Sequence, residues 1–461
     1  MPILAAFALP HPPILLPEVG HGKERKLAKT ALAYAQIVKR IGELAPDVLI
    51  ITSPHATQYA DYFHISPGSG ASGSLTQFNA PAVALTVAYD RTLVRHIEKI
   101  AKERGLPAGT MGERIPSLDH GSLIPLWLLN NAGVKCPVVR IGISGLPALS
   151  HYQFGTCIAQ AVDLLDRRAV LIASGDLSHK LSESGPYGFA PEGAAFDQQI
   201  TDALQTGDFG AMLSISPDLA DAAAECGLRS FYIMAGALDH KAVNAALLSY
   251  EGPFGVGYAV AAYTVGDDDN ERSFGEKLER ARQETLHQAK AHEDDYVRLA
   301  RQSLETYVRN GTIMPLPDSL AADLRRARAG VFVSLKKDGL LRGCIGTTEA
   351  TTDCIGNEII RNAISAASSD PRFEPVREDE LDELLYHVDV LGAPEPISSP
   401  AELEPKRYGV IVQNGMRRGL LLPDLEGIDT AERQVEIARR KGGIQPDETV
   451  RLYRFEVVRH H

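Results

Sequence analysis

Residues 3–13 read Ile3-Leu4-Ala5-Ala6-Phe7-Ala8-Leu9-Pro10-His11-Pro12-Pro13. An unbroken apolar run this short, stopped by proline and carrying no basic residues before it, is a buried strand and not a signal peptide. Three further runs share its character, at 48–52, 138–143 and 170–174, and each is β-branched or leucine-rich on both faces. Strands of that kind are covered on both sides. Between them, 26–44 and 92–104 show helical spacing with charged faces. Short apolar strands alternating with amphipathic helices predict an α/β domain with a central, mostly parallel sheet flanked by helices.

The histidines fall where such a sheet does its chemistry. The first run leads into His11, the second into Ser53-Pro54-His55, and the fourth into Gly175-Asp176-Leu177-Ser178-His179. Open α/β sheets bind ligands outside the carboxyl ends of their strands. A single loop histidine is most often a satisfied structural residue, but three at equivalent topological positions point to one cleft. Prolines beside His11 and His55 stiffen the backbone and bar helix there. A fourth histidine, in Leu118-Asp119-His120-Gly121, precedes a helix-like stretch at 123–129. Asp119 either orients its ring or caps that helix.

A metal site needs a further ligand. Ser216-Pro217-Asp218 opens a helix, and Glu225-Cys226-Gly227 interrupts it before an apolar helix resumes at 228–238. Two imidazoles with one carboxylate suit non-haem Fe(II), whereas a thiolate favours softer metals. Glu225 is the preferred third ligand on that ground and Cys226 the alternative.

The 461 residues are enough for two or three domains. A net charge of −12 argues against a nucleic-acid partner, which needs a basic surface. Five scattered cysteines without a CxxC pair suggest neither a disulfide framework nor a structural zinc knot, and favour a reducing cytoplasm. No apolar stretch approaches the ~20 residues of a membrane span. Gly252 to Tyr263 reads as a turn and a last strand, after which Gly266-Asp267-Asp268-Asp269-Asn270-Glu271 reads as a solvated boundary. The expected organisation is therefore a domain over 1–265, a charged and largely helical linker over 266–293, and a separate α+β domain over 294–461. The latter has strands at 330–335, 385–391, 408–413, 419–422 and 450–457 and helices at 354–368 and 430–441.

The motifs Leu9-Pro10-His11-Pro12-Pro13, Ser53-Pro54-His55, Leu118-Asp119-His120-Gly121, Ser174-Gly175-Asp176-Leu177-Ser178-His179 and Gly255-Val256-Gly257-Tyr258 together resemble the class III extradiol dioxygenases of the LigB type and their Memo relatives. The resemblance implies that His11 and His55 bind a metal, that His179 is the acid–base residue with Asp176 beside it, and that His120 contacts substrate or oxygen. It implies Fe(II), with zinc or copper as alternatives, and ring cleavage of a small catechol-type substrate by O2. Met234-Ala235-Gly236-Ala237-Leu238 matches the stretch that follows the dioxygenases' glutamate ligand, pointing back to Glu225. Cys226-Gly227 matches the Cys-Gly pair of Memo proteins.

Leu341-Arg342-Gly343-Cys344-Ile345-Gly346 and Ser369-Asp370-Pro371-Arg372-Phe373 resemble the AMMECR-type domain, which brings no secure activity. Arg342 can pair with a carboxylate or phosphate; Cys344 reads as a packed thiol before a nucleophile, and Asp370 with Arg372 as a local turn or ion pair. The fusion resembles the AmmeMemoRadiSam set. That implies a radical-SAM partner, and a redox or modification role for the metal site as the alternative to ring cleavage. Monomer and homo-oligomer are both left open.

Overall fold

The computed structural model describes residues 3–337, 340–425 and 428–461. They fall into two compact units, Met1–Ala281 and Arg282–His461. The first is built on a six-stranded sheet with strands β1 (Ile3–Leu9), β2 (Val48–Ser53), β3 (Val138–Gly142), β4 (Ala169–Ser174), β5 (Lys241–Glu251) and β6 (Tyr258–Asp268). Their spatial order is β3-β2-β4-β1-β6-β5. The first four pair in parallel, and β6 and β5 close one edge antiparallel. The sheet is thus parallel over its chemistry-bearing part and mixed as a whole.

Alternate residues of each parallel strand feed two separate cores, which is why these strands show no polar face. Ala6, Ala8, Ile50, Ile141 and Leu171 pack with Phe154, Ile158, Phe231 and Ile233 on one side. Ala5, Phe7, Leu49, Ile51 and Val170 pack with Tyr34, Ile37 and Leu126 on the other. Helices Ala28–Leu44, His120–Asn131, Ala148–Leu164 and Leu228–Ala237 supply those partners. A hairpin of Gly70–Leu75 and Ala80–Ala88 is inserted after β2. Its serine- and glycine-rich sequence carried no strand signal.

The acidic run does not begin as a linker. Gly266-Asp267-Asp268 finishes β6, with Lys241 paired to Asp268, and Asp269 caps a short turn at Asn270–Arg272. The unit boundary instead falls within the helix Phe274–Ala291.

The second unit is α+β. One antiparallel sheet orders Leu340–Gly346, Val331–Lys337, Leu384–Leu391 and Val457–His460; another orders Glu395–Ile397, Arg451–Phe455, Gly409–Asn414 and Arg417–Leu421. Helices Asp295–Asn310 and Ile355–Ser368 bury Leu299, Leu304, Ile359 and Ala363 against the first sheet. Among the described residues no helix is long and apolar enough to cross a membrane.

Candidate metal centre

The carboxyl ends of β1, β2 and β4, adjacent in the sheet, bring His11, His55 and the 175–179 segment to one place. His11 is buried, and its backbone N–H donates to Asp176 Oδ1 at 2.8 Å. The Tyr34 hydroxyl donates to the Pro10 carbonyl just before it. His55 Nε2 lies 3.0 Å from His11 Nε2. The third member is Cys226, whose Sγ is 3.9 Å from His11 Nε2. Donor atoms of His11, His55 and Cys226 all lie within 4.8 Å of one another, and among the described residues no other group of this kind occurs.

The tautomer of His11 follows from its surroundings. Helix His120–Asn131 contains Pro125, which has no N–H to give to the Gly121 carbonyl four residues back. That carbonyl accepts the Ser174 hydroxyl proton instead, at 2.6 Å. With its proton spent there, Ser174 Oγ accepts from His11 Nδ1 at 2.9 Å. Neutral His11 therefore carries its proton on Nδ1 and turns the Nε2 lone pair toward His55 and Cys226. A partner holding the second ring nitrogen is the usual arrangement for a metal-binding histidine. Burial, then His55, pulls the His11 pKa down to about 3, so the ring is neutral at ordinary pH.

Cys226 is placed by a close backbone approach. A Cβ on Gly175 would stand 2.1 Å from Gly227 Cα, so the β4 loop and the Cys226-Gly227 turn touch only because both carry glycine. Asp176 N–H then donates to Cys226 Sγ at 3.3 Å. Burial, followed by the charges of Asp176 and Glu225, holds the metal-free thiol well above its usual pKa. A bound cation reverses that balance, because a coordinating thiol is deprotonated.

Glu225, the preferred third ligand on sequence grounds, is not in this group. Its Oε2 accepts the N–H of Leu228 at 2.6 Å, where helix Leu228–Ala237 begins with an unsatisfied donor. Ala224, in the left-handed region with φ 52°, turns the chain so that the thiol faces the histidines. The fit to a metal is good: two nitrogens each about 2.0–2.1 Å from one ion stand about 3 Å apart when cis, and a sulfur ligand sits farther out, at about 2.3 Å.

His120 stands beside this group. Its ring stacks on His55 with centroids 4.1 Å apart and meets Phe78 edge-on at 5.4 Å. Burial and then His55 lower its pKa to about 3. Asp119 caps the helix, accepting from Ser122 N at 2.9 Å, and also receives the Ser53 hydroxyl at 2.5 Å. Burial alone would raise Asp119; the hydroxyls of Ser53 and Ser122 and the Arg140 guanidinium hold it below its usual range. His179 follows β4, and its ring meets Tyr187 edge-on with centroids 5.4 Å apart. Burial lowers its pKa while Asp176 raises it, with a net fall. Burial pushes Asp176 up to about 6.

Arg140 is the residue the sequence reading missed. It is fully buried in β3 and donates to Ser66 Oγ, Ser117 O, Ile115 O and Glu113 Oε1. It thereby ties down the 113–119 loop, one wall of a cleft of about 760 Å³ whose floor is His55 and His120. The available signal was a lone charge within the apolar Val138-Val139-Arg140-Ile141.

In the second unit the two motifs meet. Asp370 accepts the Cys344 N–H at 2.9 Å and pairs with Arg372, which also reaches the Cys344 carbonyl at 3.4 Å. The Arg372 pair holds the Asp370 carboxyl well below its usual range. Arg342 pairs with Glu380 through two nitrogens, and Cys344 Sγ accepts the Ser334 hydroxyl. Burial raises the Cys344 pKa. The motifs act here as a clamp on a strand.

Residues 5–261 match the family described as the catalytic LigB subunit of aromatic ring-opening dioxygenase, and residues 297–460 match AMMECR1. Protein CA_C1420 of Clostridium acetobutylicum is 41% identical over 98% of both chains. A Thermotoga maritima protein is 52% identical over 36% of this chain and 98% of its own. Among solved structures, PH0010 of Pyrococcus horikoshii is 33% identical over 36% of this chain and 88% of its own, with a TM-score of 0.34. JW3007 of Escherichia coli is 16% identical over 56% of this chain and 99% of its own, with a TM-score of 0.37. The chain therefore belongs to the LigB family of aromatic ring-opening dioxygenase subunits, with an AMMECR1 domain fused behind it.

Proposed function

We propose that the first unit binds one metal ion through His11, His55 and Cys226 and presents it to a hydroxylated aromatic molecule in the adjoining cleft. The observation that carries this reading is the bare Nε2 of His11, fixed by Ser174 and aimed at a second imidazole and a thiol. When bound, the metal supplies Lewis-acid polarisation of the substrate's oxygens and, as Fe(II), a meeting point for diol and O2. The chain's own residues do the rest. Phe78 and the His120 ring, in edge-on contact with each other, give the cleft an aromatic wall for a planar guest to pack against. His179, whose pKa burial lowers, is our candidate for taking a proton from an incoming hydroxyl. Arg140 keeps the wall of the cleft in place.

Loading the protein anaerobically with Fe(II), Zn(II) or Cu(I) and counting metal per chain tests the site. Cys226→Ser is expected to lose the metal, and Glu225→Gln to keep it with unchanged folding by circular dichroism. The reverse result would sink the ligand assignment. Exposing the iron form to catechol, protocatechuate, gallate and a dihydroxyphenylalanine then asks for a yellow ring-opened product. A second reading is favoured by the thiol among the ligands: a Memo-like redox protein that works with a radical-SAM partner and does not cleave rings. Silence across the whole panel with iron bound selects it.

A further inference from the structure

Both histidines of the metal group are held by a serine that ends a strand, Ser53 at the end of β2 and Ser174 at the end of β4. Ser174 gives its proton to the Gly121 carbonyl and accepts from the His11 ring. Ser53 repeats the pattern on the neighbouring strand. Its hydroxyl donates to Asp119 Oδ1 at 2.5 Å, and its oxygen accepts the His55 backbone N–H at 3.2 Å. Both serine protons therefore go to the start of helix His120–Asn131, which Asp119 caps.

Asp119 reaches His55 from two sides. Through Ser53 it holds the His55 backbone, and through the cap it holds the helix whose first residue, His120, stacks on the His55 ring at 4.1 Å. The three groups close around Gly121. A Cβ there would stand 2.5 Å from Ser53 Oγ, 3.1 Å from Asp119 Oδ1 and 3.3 Å from His55 Cδ2, so only hydrogen fits. The second Asp119 oxygen accepts from Ser122 Oγ at 2.8 Å and lies 3.9 Å from the Arg140 guanidinium. Arg140 also ties down the 113–119 loop. Asp119 thus stands where the cleft wall, the His120 helix and the His55 loop meet. A cap alone needs one acceptor for the helix N–H groups; the bond to Ser53 goes beyond that need.

We infer that Asp119 is a positioning residue of the metal centre, fixing His55 through the Ser53 hydroxyl and joining that ligand to the wall of the cleft. This rests on the metal-binding reading of His11, His55 and Cys226. The test is chelator competition for Zn(II) on the full chain, beside thermal unfolding of the metal-free protein. Ser53→Ala cuts the relay and leaves the cap, and is expected to weaken zinc binding at least about tenfold, the usual cost of losing an outer partner. Asp119→Ala should cost at least as much. The double variant should be no more than about threefold weaker than the poorer single variant, because both changes cut one path. Asp119→Asn keeps an acceptor oxygen for Ser53 and Ser122, and is expected to recover binding to within about threefold of the parent. A purely structural Asp119 would lower the unfolding temperature through its lost cap and leave Ser53→Ala at the parent affinity, which overturns the inference. So does a double variant whose loss is the product of the two single losses. If Asp119→Ala fails to fold, Ser53→Ala and Asp119→Asn decide: loss in the first with retention in the second upholds the relay, and any other pairing overturns it. A parent chain that holds no Zn(II), Fe(II) or Cu(I) is a separate failure, and overturns the metal site on which the inference rests.

Discussion

Replacing Ser174 by alanine probes the device that aims His11. The hydroxyl joins two buried groups, the Gly121 carbonyl at 2.6 Å and His11 Nδ1 at 2.9 Å. Its removal frees the ring to place its proton on either nitrogen, and the tautomer protonated on Nε2 has no lone pair for a cation. Loss of such an outer partner typically costs about 10–100-fold in metal affinity, or roughly 1.4–2.8 kcal/mol. The two groups left unpaired also cost about 1–3 kcal/mol each in stability. Chelator competition measures the first effect and thermal unfolding of the metal-free chain the second. Ser174→Thr, which keeps the hydroxyl, should recover much of the affinity. If Ser174→Ala held the metal as tightly as the parent, the relay from Pro125 through Gly121 and Ser174 would have no part in the site.

Gly175→Ala should be severe for its size: the new Cβ would stand 2.1 Å from Gly227 Cα, so the Cys226 turn must move. Metal affinity should fall at least about tenfold while the far-UV circular dichroism stays native, and an unchanged affinity would contradict the placement of Cys226. Asp197 gives a pH signature. It is buried, accepts from Ser178 N and Tyr250 Oη, and burial pushes its pKa up to about 6. The folded state thus keeps a proton that the unfolded chain releases near pH 4, so stability declines as pH rises from about 4 to 6. The full effect is up to roughly 3 kcal/mol. Asp197→Asn should flatten that part of the stability curve in urea titrations; an identical slope would refute the assignment.

Much of this is legible in the amino-acid sequence, for identifiable reasons. Strands buried on both faces read as unbroken apolar runs, and proline-flanked histidines at their ends marked the side of the sheet that carries the site. The helix at 120–131 was visible from Asp119 and the apolar run behind it, and the capping role, one of two readings, is the one observed. The choice between Glu225 and Cys226 was not legible. The two are adjacent, and what separates them is the turn at Ala224 and the contact of Gly175 with Gly227, fifty-two positions apart in sequence. Chemical preference for a hard ligand pointed to the carboxylate, while the helix end at Leu228 claimed it. The Leu340–Gly346 strand was hidden by its two glycines, and the acidic end of β6 read as linker because an exposed strand end needs no apolar residues.

X-ray absorption of the metal-loaded protein tests the ligand set most directly. The account predicts one sulfur scatterer at about 2.3 Å together with imidazole nitrogens at about 2.0–2.1 Å, and loss of the sulfur signal in whatever metal Cys226→Ser retains. A spectrum fitted by nitrogen and oxygen alone in the parent protein would contradict it.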